Sequence, residues 1–75
     1  MNNFKNKNMI KNKQQLQDAM SRGVNLVRKR RIPFSIWELT DGTKVNERSA
    51  WSLIKSKTIK CIGYSDDNRD TYYSL

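Results

Sequence analysis

Histidine is absent from the 75 residues, cysteine and proline occur once each, and glycine only three times. With no imidazole and a single thiol, a structural zinc site lacks its usual ligands and is close to excluded. The same gap removes the usual general acid or base at neutral pH. Cys61 has no partner for an internal disulfide; between Lys60 and Ile62 in an expected strand it reads as a small buried thiol. Gly23, Gly42 and Gly63 stand apart, so no glycine-rich loop can cradle a phosphate. Enzymatic activity and a cofactor are therefore not expected. No apolar run approaches the roughly 18 residues of a membrane span. The opening M-N-N-F-K-N-K-N also lacks the apolar core of a signal peptide. A cytoplasmic setting, with no membrane partner, is the expectation.

What the chain has in excess is positive charge, +8 in all. Residues 1–31 hold Lys5, Lys7, Lys11, Lys13, Arg22, Arg28, Lys29, Arg30 and Arg31 against Asp18 alone. Residues 32–75 balance six basic against six acidic side chains, so the whole excess lies in the first two-fifths of the sequence. Clustered like charge opposes folding by self-repulsion, and a polyanionic partner is its usual use. Nucleic acid is the commonest polyanion.

A chain of this length buries only about 60% of its unfolded surface, which argues for one modest domain. Residues 1–11, rich in Asn and Lys with isolated Phe4, Met9 and Ile10, read as a flexible basic arm, and residues 12–75 as a single domain. Asn12 can cap a helix from Lys13 to Arg22, with Gln15 reaching back and Gly23 as the stop. Leu16, Ala19 and Met20 make its narrow apolar stripe. Period-two alternation then runs from Val24 to Leu39, interrupted at Pro33, which cannot donate to a ladder and marks a bend or an edge. Asp41-Gly42 is a strong turn dipeptide, because Gly42 tolerates positive φ and Asp41 can bond its own backbone.

Asn46 is placed to cap a second helix, whose stripe is Ala50, Leu53 and Ile54 and whose C-terminal end carries Lys55 and Lys57. Trp51 lies one position off that stripe, as a core-edge aromatic. A strand from Thr58, carrying Lys60, and the turn S-D-D-N-R-D lead into T-Y-Y-S-L, a terminal hairpin in which Tyr72 or Tyr73 faces outward. Asp66, Asn68 and Asp70 match the first ligands of a calcium loop, but Thr71 stands where glycine is required, so they read as a structural turn. The expected fold is α+β, in the order α-β-β-α-β-β, with an antiparallel sheet.

The order of elements resembles small winged-helix-type domains that bind nucleic acid. The string W-x-L-x-D-G-x-x-V over residues 37–45, with Leu53-Ile54, Ile59 and Tyr73-x-Leu75, resembles short proteins of tailed bacteriophages. That resemblance implies a host-cell cytoplasmic setting and a regulatory or host-takeover role. The leading expectation is phosphate binding, to DNA in preference to RNA, by Arg28, Lys29, Arg30 and Arg31. Lys5, Lys7, Lys11, Lys13, Arg22, Lys55, Lys57 and Lys60 are the supporting cations. The alternative is a phage-type inhibitor that docks on an acidic groove of a host protein. Homodimerisation is open, through the strand bearing Pro33 or the last strand as an edge.

Overall fold

The computed structural model describes residues 9–75 and contains two helices and one four-stranded antiparallel sheet, an α+β architecture. Lys5 and Lys7 lie outside the described residues. Helix α1 spans Lys13–Met20, and the Asn12 side chain accepts the Gln15 N–H at 2.8 Å. The Gln15 side chain returns to the Lys11 N–H at 3.2 Å, one residue earlier than a standard capping box would place it. The helix closes two residues before Arg22. There the Arg22 and Gly23 amides turn to carbonyls three residues back, Ala19 at 3.1 Å and Met20 at 3.0 Å, which tightens the last turn out of α geometry.

Strands β1 (Leu26–Lys29) and β2 (Ile36–Leu39) pair with Leu26 opposite Leu39 and Arg28 opposite Trp37. The expected turn follows. Gly42 adopts φ +94° and its N–H reaches the Leu39 carbonyl at 2.8 Å, while the Asp41 carboxylate accepts the Thr43 N–H at 2.9 Å. That hydrogen bond holds the Asp41 carboxyl below its usual range. The chain then doubles back along β2, and Val45 forms a parallel bridge with Ile10. Ile10 is buried in the core, so the expected arm does not extend through it; two backbone bonds, to Lys44 and from Asn46, hold it there.

Helix α2 spans Glu47–Lys55, and the Asn46 side chain accepts the Arg48 N–H at 2.8 Å. Ser49, Ala50 and Leu53 are buried and Ile54 only half so. Lys57 falls beyond the helix, past the Ser56 cap, with φ +62°. Strands β3 (Lys60–Tyr64) and β4 (Asp70–Ser74) complete the sheet in the order β2-β1-β4-β3. The last strand is thus central, which closes it as one of the two candidate edges, and Pro33 marks a bend, in the β1–β2 connection rather than in a strand.

The helices lie on one face of the sheet, over a core of Leu16, Met20, Leu26, Trp37, Leu39, Val45, Ala50, Leu53, Ile59 and Ile10. Leu16, Leu26 and Leu53 are the largest fully enclosed side chains. Cover is densest over β1 and β2 and fails over β3, a row of mostly exposed residues. Cys61 is therefore exposed rather than buried: it sits on the edge strand beyond the reach of the helices. A register shift between Cys61 and Gly63 also breaks the alternation expected from the sequence.

Candidate nucleic-acid interface

Four adjacent cations on extended backbone must point to both faces, and the fold gives each a different local partner. Arg28 is on the helix side, its guanidinium 5.5 Å from the Trp37 ring centroid and 5.3 Å from that of Trp51, with Nε donating to Ser35 Oγ at 3.3 Å. Lys29 is on the opposite face, where it and Lys44 both pair with Glu38. Those two ammonium groups, Lys29 first, hold the Glu38 carboxyl below its ordinary value despite its burial. Arg30 donates to the Asn68 carbonyl, and Arg31 pairs with Asp70 at 3.1 Å. The run is thus divided among two indoles, two carboxylates and a loop carbonyl.

The end of the sheet where the run finishes is also balanced in charge. The β1–β2 connection and the β3–β4 loop meet there, because β4 runs antiparallel to β1 with Lys29 opposite Asp70. Arg30, Arg31 and Arg69 stand with Asp66, Asp67 and Asp70. Asp67 accepts the Ser65 hydroxyl at 2.6 Å and the Arg69 N–H at 3.0 Å, which lowers its pKa and makes the loop a hydrogen-bonded turn. Among the described residues, no group of His, Cys, Asp and Glu side chains could hold a metal ion.

Six of the cations that lack an ion pair among the described residues stand on the helical layer. Lys11, Lys13, Arg22, Arg48, Lys55 and Lys57 are exposed and make no ion pair among the described residues. The two acids of the layer are taken by neutral donors four residues away: Asp18 by the Gln14 amide at 2.9 Å, and Glu47 by the Trp51 indole N–H at 3.1 Å. Arg48, Trp51, Ser52 and Lys55 line an open groove with Asn46 and Glu47. Lys60 lies apart from this layer, on the β3 edge opposite Ser74. Arg48 was missed as a candidate, although its spacing of three, four and seven to Trp51, Ser52 and Lys55 is that of one helix face.

An aromatic row crosses from α2 to the sheet. Trp51 meets Trp37 edge-on at 5.4 Å, and Trp37 stacks on Tyr73 at 6.2 Å with 30° between the planes. Trp37 is buried, and its indole N–H finds no acceptor among the described residues. Trp51 and Tyr73 are half-buried, and burial, with Cys61 close by, pushes the Tyr73 phenol up. Tyr73 faces the helix side because Leu26 and Cys61 are its cross-strand partners, which leaves Tyr72 on the other face opposite Val27.

Fold and site together define a small basic α+β domain with a cationic two-helix layer and an aromatic seam beside it. Comparison with family models, curated proteins and solved structures finds no match for the chain.

Proposed function

We propose that the protein binds nucleic acid, DNA in preference to RNA, through phosphate contacts made chiefly by the cations of its helical layer. The observation that carries this reading is that Lys11, Lys13, Arg22, Arg48, Lys55 and Lys57 are exposed without ion pairs, while Lys29 and Arg31 of the four-cation run are neutralised. Six such contacts would give log affinity against log salt a slope of about −5 on duplex DNA, by release of condensed counterions. Base specificity would be weak, since phosphates carry no sequence information directly. In the winged-helix likeness the β3–β4 hairpin after α2 would serve as the wing. The phage likeness makes the role regulatory, in a host-cell cytoplasm.

The test substitutes Arg48→Gln, Lys55→Gln and Lys57→Asn together, the last because asparagine tolerates the left-handed backbone at that position. Binding to duplex and single-stranded oligonucleotides is then followed as a function of salt. The slope should become shallower by about 2 to 3, whereas Arg28→Ala, Arg30→Ala and Arg31→Ala together should change it by less. An unchanged slope in the helix variant overturns this placement. Failure of the native protein to bind either form, with a stoichiometric protein retained from nuclease-treated bacterial lysate, would identify the inhibitor of an acidic host groove instead.

A further inference from the structure

On the helix side of the sheet, the layer stops short of β3 and leaves aromatic surface uncovered. Tyr64 pairs across the ladder with buried Thr71, and Thr71 is opposite Arg28, so Tyr64, Thr71, Arg28 and Tyr73 share the face on which the core is built. Tyr64 is 61% exposed, Tyr73 and Trp51 keep part of their rings in water, and buried Trp37 joins the latter two by direct ring contact. Three ring surfaces thus succeed one another from α2 to the edge strand. Arg48 and Lys55 line the groove at the Trp51 end, where Glu47 is the acid present, its carboxylate already engaged by the Trp51 indole.

We infer that this row is a stacking platform for the unpaired bases of single-stranded nucleic acid, with Arg48 and Lys55 holding the backbone of the same strand. Three considerations select that occupant. Bases of any identity stack on aromatic faces, whereas the paired bases of a duplex are already stacked on one another and cannot reach rings set into a sheet. A cationic margin beside exposed rings suits a polyanion that carries a π-face on every charged unit, as a single strand does and an acidic protein groove does not. The two indoles and the Tyr73 ring are held by mutual contact and by the Arg28 guanidinium over both indoles, so little ordering is needed there on binding.

This inference rests on the nucleic-acid reading above but can fail separately from it. The probes are a 12-nucleotide oligothymidylate and a duplex of the same length, titrated over one shared series of salt concentrations with tryptophan emission as readout. The native protein should bind the single strand at least about tenfold more tightly, with quenching of emission. Tyr64→Ala, at an exposed position where folding is not at stake, should weaken single-strand binding about tenfold while leaving the salt slope unchanged, and Tyr64→Phe should restore it. Equal or tighter duplex binding, indifferent to Tyr64→Ala, overturns the platform and leaves the phosphate reading standing. Absence of binding to both probes overturns both. Binding instead to vesicles of anionic phospholipid, with neither oligonucleotide bound, would also overturn both and assign the basic layer to a lipid surface.

Discussion

Replacing Glu38 by glutamine separates charge that holds the fold from charge available to a ligand. Glu38 is a buried strand residue whose carboxylate receives Lys29 from β1 and, at 2.7 Å, Lys44 from the returning segment after the Asp41-Gly42 turn. Charge-assisted bonds of this kind are worth about 1.5–3 kcal/mol where water is excluded. Here the lysine side chains retain 35% and 60% exposure, so each can return to water when its partner is lost, and the expected cost of Glu38→Gln falls to about 1–2 kcal/mol. Because the folded-state pKa of Glu38 is depressed, its contribution is complete above the ordinary carboxylate value of 4.5 and disappears as pH falls through the lowered one. Urea unfolding followed by tryptophan emission should show a constant gap between native protein and variant from pH 7 to about pH 5. The gap should close on further acidification.

The same variant frees two ammonium groups on the sheet face opposite the helices. If nucleic acid docks on the helical layer, the salt slope of binding should change by less than about half a unit. A gap that stays constant however far the pH is lowered would refute the assignment of the depressed pKa to these lysines. A slope steeper by one or more would refute the placement of the interface.

Arg28→Ala should cost about 1–2 kcal/mol in urea unfolding and alter tryptophan emission, since the guanidinium lies over both indoles, whereas Arg28→Met should recover part of the loss by keeping the stem packed. Leu16→Ala and Leu53→Ala each empty a fully enclosed site and should destabilise by about 2–5 kcal/mol, enough in a domain this small to populate the unfolded state at 37 °C, as read by thermal circular dichroism. Cys61 should react with an aromatic disulfide reagent in the native protein about as fast as in urea; strong native-state protection would contradict its exposed place on β3.

Local signals in the sequence located both helices and the turn, because each depends on residues within a few positions. Asn12 and Asn46 cap as their spacing demands, and Gly42 takes the positive φ that Asp41-Gly42 implies. Non-local placement was not legible. Nothing in I-K-N-K marks Ile10 as a core residue, since its burial depends on a bridge to Val45, thirty-five positions away. Cys61 looked buried because it alternates like a core strand, but burial depends on whether a helix lies above, and the shift at Gly63 alters the alternation itself. The division of Arg28 to Arg31 between the two faces was legible from strand geometry, whereas their partners Glu38, Asn68 and Asp70 come from strands and a loop whose order in the sheet the sequence does not state.

Charge asymmetry along the chain and charge asymmetry in space are consequently different quantities. Sheet pairing brings acids of the neutral half, Glu38 and Asp70, onto cations of the positive half, so part of the linear excess is cancelled where β1 would otherwise hold adjacent like charges in the centre of the sheet. The helices lack that compensation. Asp18 lies four residues before Arg22, a spacing that permits a pair, yet it is held by Gln14, and Glu47 is held by Trp51 rather than by Arg48. Neutral donors satisfy these acids without spending a cation, and Lys11, Lys13, Arg22, Arg48, Lys55 and Lys57 are left unpaired among the described residues, on the layer that water, or a polyanion, can reach.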